Sequence, residues 1–185
     1  MSKYLKFLFV LIMLGIIGAV VAKLEILAIE GIDYLLKPVY MKNTYIESID
    51  TPSYGSKIKD ALEDFNKLGD GKVVSFTKHS FIGRPIKITE QADLSIPYIF
   101  PEEPGKVTIG RTLPLPFAAY IVVRKGQNYN QIRQVIIHEY LHAMGYQHTN
   151  DESDLMYPDY EPWQDHLQQY ATDLKKRLGS FWYGN

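Results

Sequence analysis

Three histidines and a glutamate lie within eleven residues of this 185-residue chain, in the stretch HEYLHAMGYQH from residue 138 to residue 148. His138 and His142 are four residues apart, so a helix presents both imidazoles on one face. Neutral imidazole nitrogen is a good ligand for Zn²⁺, and two histidines from one helical turn form a rigid half of a zinc site. The spacing therefore predicts a metal site on this helix.

A third ligand and a general base are predicted from the same stretch. Gly145 ends the helix at a point where glycine can adopt the left-handed backbone that a reversal of the chain needs. The chain can then return and bring His148 to the same metal. Three protein ligands leave a fourth position for water, which is typical of catalytic rather than structural zinc. Glu139 follows the first ligand directly and is well placed to take a proton from that water.

The stretch resembles the HExxHxxGxxH motif of the metzincin metalloproteases, and Met156 in SDLMYP lies where that clan has its Met-turn. Within the clan the chain is most similar to the matrixins, the matrix metalloprotease family, because DLMYPDY resembles their ALMYPxY. Weaker similarity, in segments such as ALEDFNKLGDGKVVSF and QADLSI, extends the resemblance over roughly residues 40 to 178. It implies an α+β, zincin-like fold. That fold has a mixed, mostly parallel five-stranded sheet, an active-site helix, the Met-turn and a C-terminal helix.

The resemblance also implies a role for each residue of the metal site. His138, His142 and His148 bind one zinc ion, and Glu139 acts first as general base and then as general acid. Met156 forms an apolar floor under the ligands. The chain is therefore expected to use zinc as its cofactor.

A substrate cleft beside the metal is a further implication of the resemblance. Pro158, Asp159 and Tyr160 would form the wall of the pocket for the residue after the scissile bond. Ile109 and Gly110, in VTIGRTLP, are candidates for pairing with an extended peptide, which would add a strand to the sheet.

Some matrixin features have no counterpart in this sequence. Matrixins have a pro-domain whose cysteine blocks the zinc, whereas this chain contains no cysteine and is too short for such a domain. Asp151, Glu152 and Asp154 form an acidic run without the ordered ligand pattern of a calcium site. A solvated loop is therefore favoured over a calcium site there.

Residues 1–22 differ in kind from the rest of the chain. A basic start, MSKYLK, precedes sixteen uncharged apolar residues from Phe7 to Ala22. This pattern is typical of a secretory signal peptide or of a membrane anchor, and both alternatives stay open. We expect residues 23–38 to form a stalk or linker helix and residues 39–185 to form the protease domain. Either alternative places that domain outside the cytoplasm, tethered to the membrane if the segment is not cleaved.

The whole chain, with 46% hydrophobic and 22% charged residues, has the composition of an ordinary globular protein. A net charge of −1 argues against a nucleic-acid partner, which would require a basic surface. Hydrophobic periodicity and turn residues predict these elements in order: a strand at 39–49, a helix at 58–68, strands at 73–79 and 92–100, an edge strand in KVTIGRTLPLP, a strand at 117–123, a helix capped by Asn128 or Asn130 and ended by Gly145, and a last helix between Pro162 and Gly179.

We therefore expect a zinc-dependent endopeptidase that hydrolyses peptide or protein substrates. The alternative is a membrane-tethered, zinc-containing protein that binds peptides without turnover. The presence of Glu139 argues against that alternative, because a structural zinc site needs no general base.

Overall fold

The computed structural model describes residues 43–78, 83–92, 94, 107–115, 117–159 and 166–179. The predicted export segment at 1–22, the predicted stalk helix at 23–38 and the candidate pocket residue Tyr160 lie outside these residues. No helix in the described part of the chain is long and apolar enough to cross a bilayer.

Four strands form one mixed sheet in the described residues: β1 (Thr44–Asp50), β2 (Arg84–Gln91), β3 (Gly110–Pro114) and β4 (Ala119–Arg124). Their spatial order is β1-β2-β4-β3. The first three strands in this order are parallel, and β3 runs antiparallel to β4 at one edge. The α+β class and the mixed, mostly parallel sheet are confirmed. The predicted edge position of the strand that ends at Pro114 is also confirmed.

Three helices accompany the sheet: α1 (Lys57–Leu68), α2 (Tyr129–Ala143) and α3 (Leu167–Gly179). Asn128 caps α2, since its side chain accepts from the Gln131 N–H while the Gln131 side chain accepts from the Asn128 N–H. The cap is therefore Asn128 rather than Asn130. A buried core lies between the sheet and the helices, and its fully enclosed members include Phe65, Ile88, Ile121, Ile136 and Leu141.

Two strand predictions need correction. Residues 73–78 are not a strand, because the N–H groups of Val73 and Val74 donate to the side chain of Asn66, at 3.0 and 2.9 Å. This stretch still lies beside β1, where Ser75 O accepts the Ile46 N–H at 2.7 Å. Strand β2 was not predicted, although residues 86 and 88 are alternating isoleucines. The predicted strand at 92–100 lies almost entirely outside the described residues, so the described sheet has four strands rather than five.

A buried arginine joins the sheet to the end of α2. Arg84, at the start of β2, is only 3% exposed. Its Nη1 donates to the carbonyl of Ala143 at 2.6 Å, and its Nε and Nη2 donate to the carbonyl of Leu115 at 3.1 and 3.0 Å. The carbonyls of the last helical turn have no partner within the helix and carry its negative dipole end. Arg84 therefore fixes the position of the helix that carries the histidines.

Candidate metal centre

The three predicted zinc ligands meet at one point. His138 and His142 lie one turn apart on α2. Gly145 follows the helix with a φ of 86°, and the chain then turns back to bring His148 to the same place. The Nε2 atom of His142 lies 3.0 Å from Nε2 of His138 and 3.0 Å from Nε2 of His148. Among the described residues, these three histidines form the cluster of side chains that could hold a metal ion.

The geometry of these nitrogens fits zinc. Two nitrogens bound to a tetrahedral zinc ion at about 2.0–2.1 Å lie roughly 3.3 Å apart, which is close to the observed separations. The other ring nitrogens are already used, because Nδ1 of His138 lies 2.7 Å from the Leu155 carbonyl and Nδ1 of His142 lies 2.9 Å from the Tyr146 carbonyl. These carbonyls keep the ring proton on Nδ1 and leave the Nε2 lone pair for a metal.

Burial keeps the imidazoles in the neutral form that binds metal. Desolvation lowers the pKa of His138 to about 4, although the hydrogen bond that the ring donates to the Leu155 carbonyl opposes this decrease. It also lowers the pKa of His142 and, to the extent that it is shielded, of His148. At neutral pH no proton has to be displaced from these rings before a metal binds.

The Glu139 carboxylate lies beside the three histidines and is 6% exposed. Burial raises its pKa to about 7, and the hydrogen bond from Thr112 and the charge of Arg111 oppose this increase. The Thr112 Oγ1 atom lies 2.7 Å from Glu139 Oε2 and 2.8 Å from the Glu139 carbonyl oxygen. Thr112 is not among the predicted site residues, since it comes 27 residues before Glu139 on a different element.

The residues of the predicted Met-turn follow the third histidine and are joined by hydrogen bonds to the residue just after it and to the last helix. Met156 is fully buried, and its N–H donates to Asp154 Oδ1 at 2.7 Å. The same oxygen accepts the hydroxyl of Tyr170, on α3, at 2.7 Å. The Thr149 N–H donates to the Met156 carbonyl at 3.0 Å, just after the third histidine. The acidic residue Asp154 thus ties the Met-turn to the last helix.

A second tyrosine joins α3 to the other side of the site. The hydroxyl of Tyr146 donates to Asp173 Oδ2 at 2.6 Å, and the Arg177 guanidinium lies 4.2 Å from the centre of the Tyr146 ring. Arg177 also forms an ion pair with Asp173 at 2.8 Å. The Tyr146 carbonyl is the hydrogen-bond partner of His142 Nδ1. The contacts of Tyr146 with α3 therefore help to orient the His142 ring.

A cleft of about 730 Å³ runs past the metal ligands and Glu139. Four of the five candidate substrate residues line it: Ile109, Gly110, Pro158 and Asp159. Strand β3 forms one rim, and in the described residues no strand pairs with its outer edge. The cleft is therefore open along the edge of the sheet.

The sequence model of the Matrixin peptidase family matches residues 49–177, about two thirds of the chain. The chain belongs to the matrixin family. This match confirms the resemblance and makes the protein a member of a family of zinc-dependent metallopeptidases. The three histidines of this matrixin could hold a metal ion, and the family's catalytic metal is zinc. No curated protein sequence matches the chain.

Proposed function

We propose that this matrixin is a zinc-dependent endopeptidase in which Glu139 is the general base. The observation that supports the proposal most directly is the convergence of three histidine Nε2 atoms next to a buried carboxylate. Zinc bound by these histidines would polarise the scissile carbonyl and make the attacking water more acidic.

The chain's own contribution is the movement of a proton. Glu139 accepts the proton of the attacking water and returns it to the nitrogen of the leaving amine. A group that must accept and release a proton works best when its pKa is near the working pH. In the metal-free protein, burial raises the pKa of Glu139 to about 7. The charge of a bound zinc ion would favour the ionised form, which is the form that accepts the proton.

The peptide would bind as an added strand along the outer edge of β3. The Ile109 carbonyl accepts the Arg124 N–H at 2.9 Å, so its hydrogen bonding is directed towards β4. In an antiparallel pair, alternate residues direct their backbone groups to opposite sides. Gly110 and Thr112 therefore direct their N–H and C=O groups outwards, and of the two predicted pairing residues Gly110 is the one with its backbone available. Pro158 and Asp159 line the same cleft.

The test is the variant Glu139→Gln, which keeps the shape of the side chain and removes its basicity. We expect the purified variant to bind zinc as the wild type does and to hydrolyse a quenched peptide library about 10²- to 10⁴-fold more slowly. Glu152→Gln, in an exposed turn, is the matched control. Undiminished hydrolysis by the Glu139 variant would contradict the proposal. Stoichiometric zinc without hydrolysis by the wild type would favour the peptide-binding alternative.

We also propose that the domain works outside the cytoplasm, either secreted or anchored to a membrane. This proposal rests on the basic start and the apolar residues from Phe7 to Ala22. Sequencing the N-terminus of the mature protein separates the two alternatives, because a secreted form would begin near residue 23. Recovery of the intact protein in the cytoplasm would contradict both.

A further inference from the structure

The Glu139 carboxylate is held by a side chain from another element. Thr112 lies on β3, and its hydroxyl oxygen is 2.7 Å from Glu139 Oε2. Glu139 is almost fully buried, so water supplies little of the hydrogen bonding that a carboxylate needs. Buried polar groups without a partner are destabilising, and the Thr112 hydroxyl provides this partner.

The second carboxylate oxygen is restricted by the backbone of the same strand. A Cβ atom at Gly110 would lie 2.7 Å from Glu139 Oε1, 2.9 Å from Glu139 Cγ and 2.5 Å from Val135 Cγ1. The strand therefore approaches α2 as closely as a glycine allows. Oε1 rests against Gly110 while Oε2 is bound by Thr112, and the carboxylate has little freedom to rotate away.

We propose that Thr112 is a positioning residue that holds the Glu139 carboxylate in the orientation needed for proton transfer. This role rests on the proposed peptidase function. Reacting groups must be placed to within a fraction of an ångström, and a displacement of about 1 Å can lower a rate 100-fold. The Thr112 side chain also joins the Glu139 carboxylate to β3, the strand along which the peptide would bind. The same strand would therefore position both the base and the substrate.

A simpler interpretation is that the Thr112 hydroxyl only fastens β3 to α2. A fastening role predicts that its loss weakens folding, zinc binding and substrate binding together. A positioning role predicts that its loss lowers kcat and leaves KM and zinc affinity unchanged. The two interpretations therefore differ in quantities that can be measured on the same protein.

The activity test compares Thr112→Val with Thr112→Ser in the zinc-loaded full-length protein. Valine has nearly the shape of threonine without its hydroxyl, and serine keeps the hydroxyl. We expect Thr112→Val to lower kcat about 10- to 100-fold with KM changed less than about twofold, and Thr112→Ser to recover most of kcat. Thr89→Val makes the same change on strand β2, which does not line the cleft, and should leave kcat unchanged.

A second measurement does not depend on activity or on zinc. In the metal-free protein, Thr112→Val should lower the melting temperature by several degrees when Glu139 is present. In a Glu139→Ala background the same change should have a clearly smaller effect, because the hydrogen bond to the carboxyl is gone and only the contact with the backbone carbonyl of residue 139 is left to lose. This coupling tests the contact even if the wild type proves inactive on every peptide, a result that would overturn only the proposed function.

Three results would overturn the positioning role. The first is equal losses in zinc affinity, KM and kcat for Thr112→Val. The second is a Thr112→Ser variant as slow as Thr112→Val. The third is a melting-temperature change for Thr112→Val that is the same with and without the Glu139 carboxyl.

Discussion

The three proposed zinc ligands, His138, His142 and His148, can bind a metal only when their imidazoles are neutral. His138 is the most shielded of the three, and its pKa of about 4 lies well below the value near 6.5 of a histidine in an unfolded chain. Protonating it in the folded protein would place a charge in a poorly solvated position between two other imidazoles. The same burial that prepares the ring for zinc therefore makes the metal-free site sensitive to acid.

We predict that the chelated, metal-free protein loses stability as the pH falls from about 6.5 towards 4. A lowered pKa in the folded state gives a contribution that is present above the unfolded value and disappears as the pH falls through the folded one. For His138 this contribution is roughly 3 kcal/mol. Denaturant unfolding at a series of pH values measures it, and His138→Asn should flatten the profile.

The stability that Glu139 contributes changes with pH in the opposite direction, so its effect must be measured separately from that of the histidines. Its pKa is raised to about 7, so its contribution is present below about 4.5 and is lost as the pH rises through 7. The histidine effect is therefore measured most clearly in a Glu139→Gln background. A stability that is independent of pH between 4 and 6.5 in that background would contradict the assignment of neutral, buried imidazoles.

At the scale of elements, the loop after the third ligand depends on α3. Asp154 binds both the Met156 N–H and the Tyr170 hydroxyl through one oxygen. Leu155, between these loop residues, supplies the carbonyl that orients His138. The last helix thus influences a metal ligand through one aspartate and one backbone carbonyl, although it contributes no ligand itself.

We predict that Asp154→Ala weakens zinc binding about tenfold, because groups that orient the ligands typically contribute 10- to 100-fold to metal affinity. Competition with a chromophoric chelator measures the affinity. Asp151→Ala is the matched control, since Asp151 lies in the same acidic loop and its side chain accepts hydrogen bonds only from Ser153 among the described contacts. Equal zinc affinities for the two variants would show that zinc binding does not depend on the hydrogen bonds that Asp154 makes to Met156 and Tyr170.

At the scale of the whole molecule, a zinc ion bound at the proposed site would join the helix α2 to the chain that follows it. The protein has no cysteine and therefore no disulfide to reinforce a core of this size. His148 is exposed and lies beyond the helix, so a metal bound to all three histidines connects a rigid element to a surface turn.

We predict that removing zinc lowers the melting temperature substantially, because a ligand present at 1,000 times its Kd stabilises the folded state by about 4 kcal/mol. Scanning calorimetry with and without chelator measures the shift. Glu139→Gln should show the full shift, whereas His148→Ala should show a much smaller one. A melting temperature that does not respond to chelation would argue against a metal bound by all three histidines.

The metal ligands could be predicted from the sequence because they are local. His138 and His142 share one helical turn, and Gly145 allows the short return to His148, so pattern and spacing contain most of the geometry. The supporting contacts are different in kind. Thr112 is 27 residues from Glu139, and Arg84 is 59 residues from Ala143, so these pairs exist only once the sheet has formed.

The fold shows the same division between local and distant information. Helices α1 and α2 and strand β3 follow from periodicity, caps and prolines. The expected strand at 73–79 is absent from the described residues 73–78 because a nearby side chain, that of Asn66 in α1, takes two of its backbone donors, a contact that periodicity does not reveal. Strand β2, which was not predicted, has alternating isoleucines, but Pro85 next to its start cannot donate to a sheet ladder and so weakens the strand pattern.

The open edge of β3 also bears on how this protein behaves at high concentration. An unpaired strand edge is a template on which other chains, including further copies of the same protein, can polymerise. Here the outward-facing N–H groups in β3 are those of Gly110 and Thr112, and Pro114 has no N–H to offer in the next position. Among the described residues, these two donors can align a short peptide, whereas the proline limits how far pairing with a second copy of the protein could extend along the same edge.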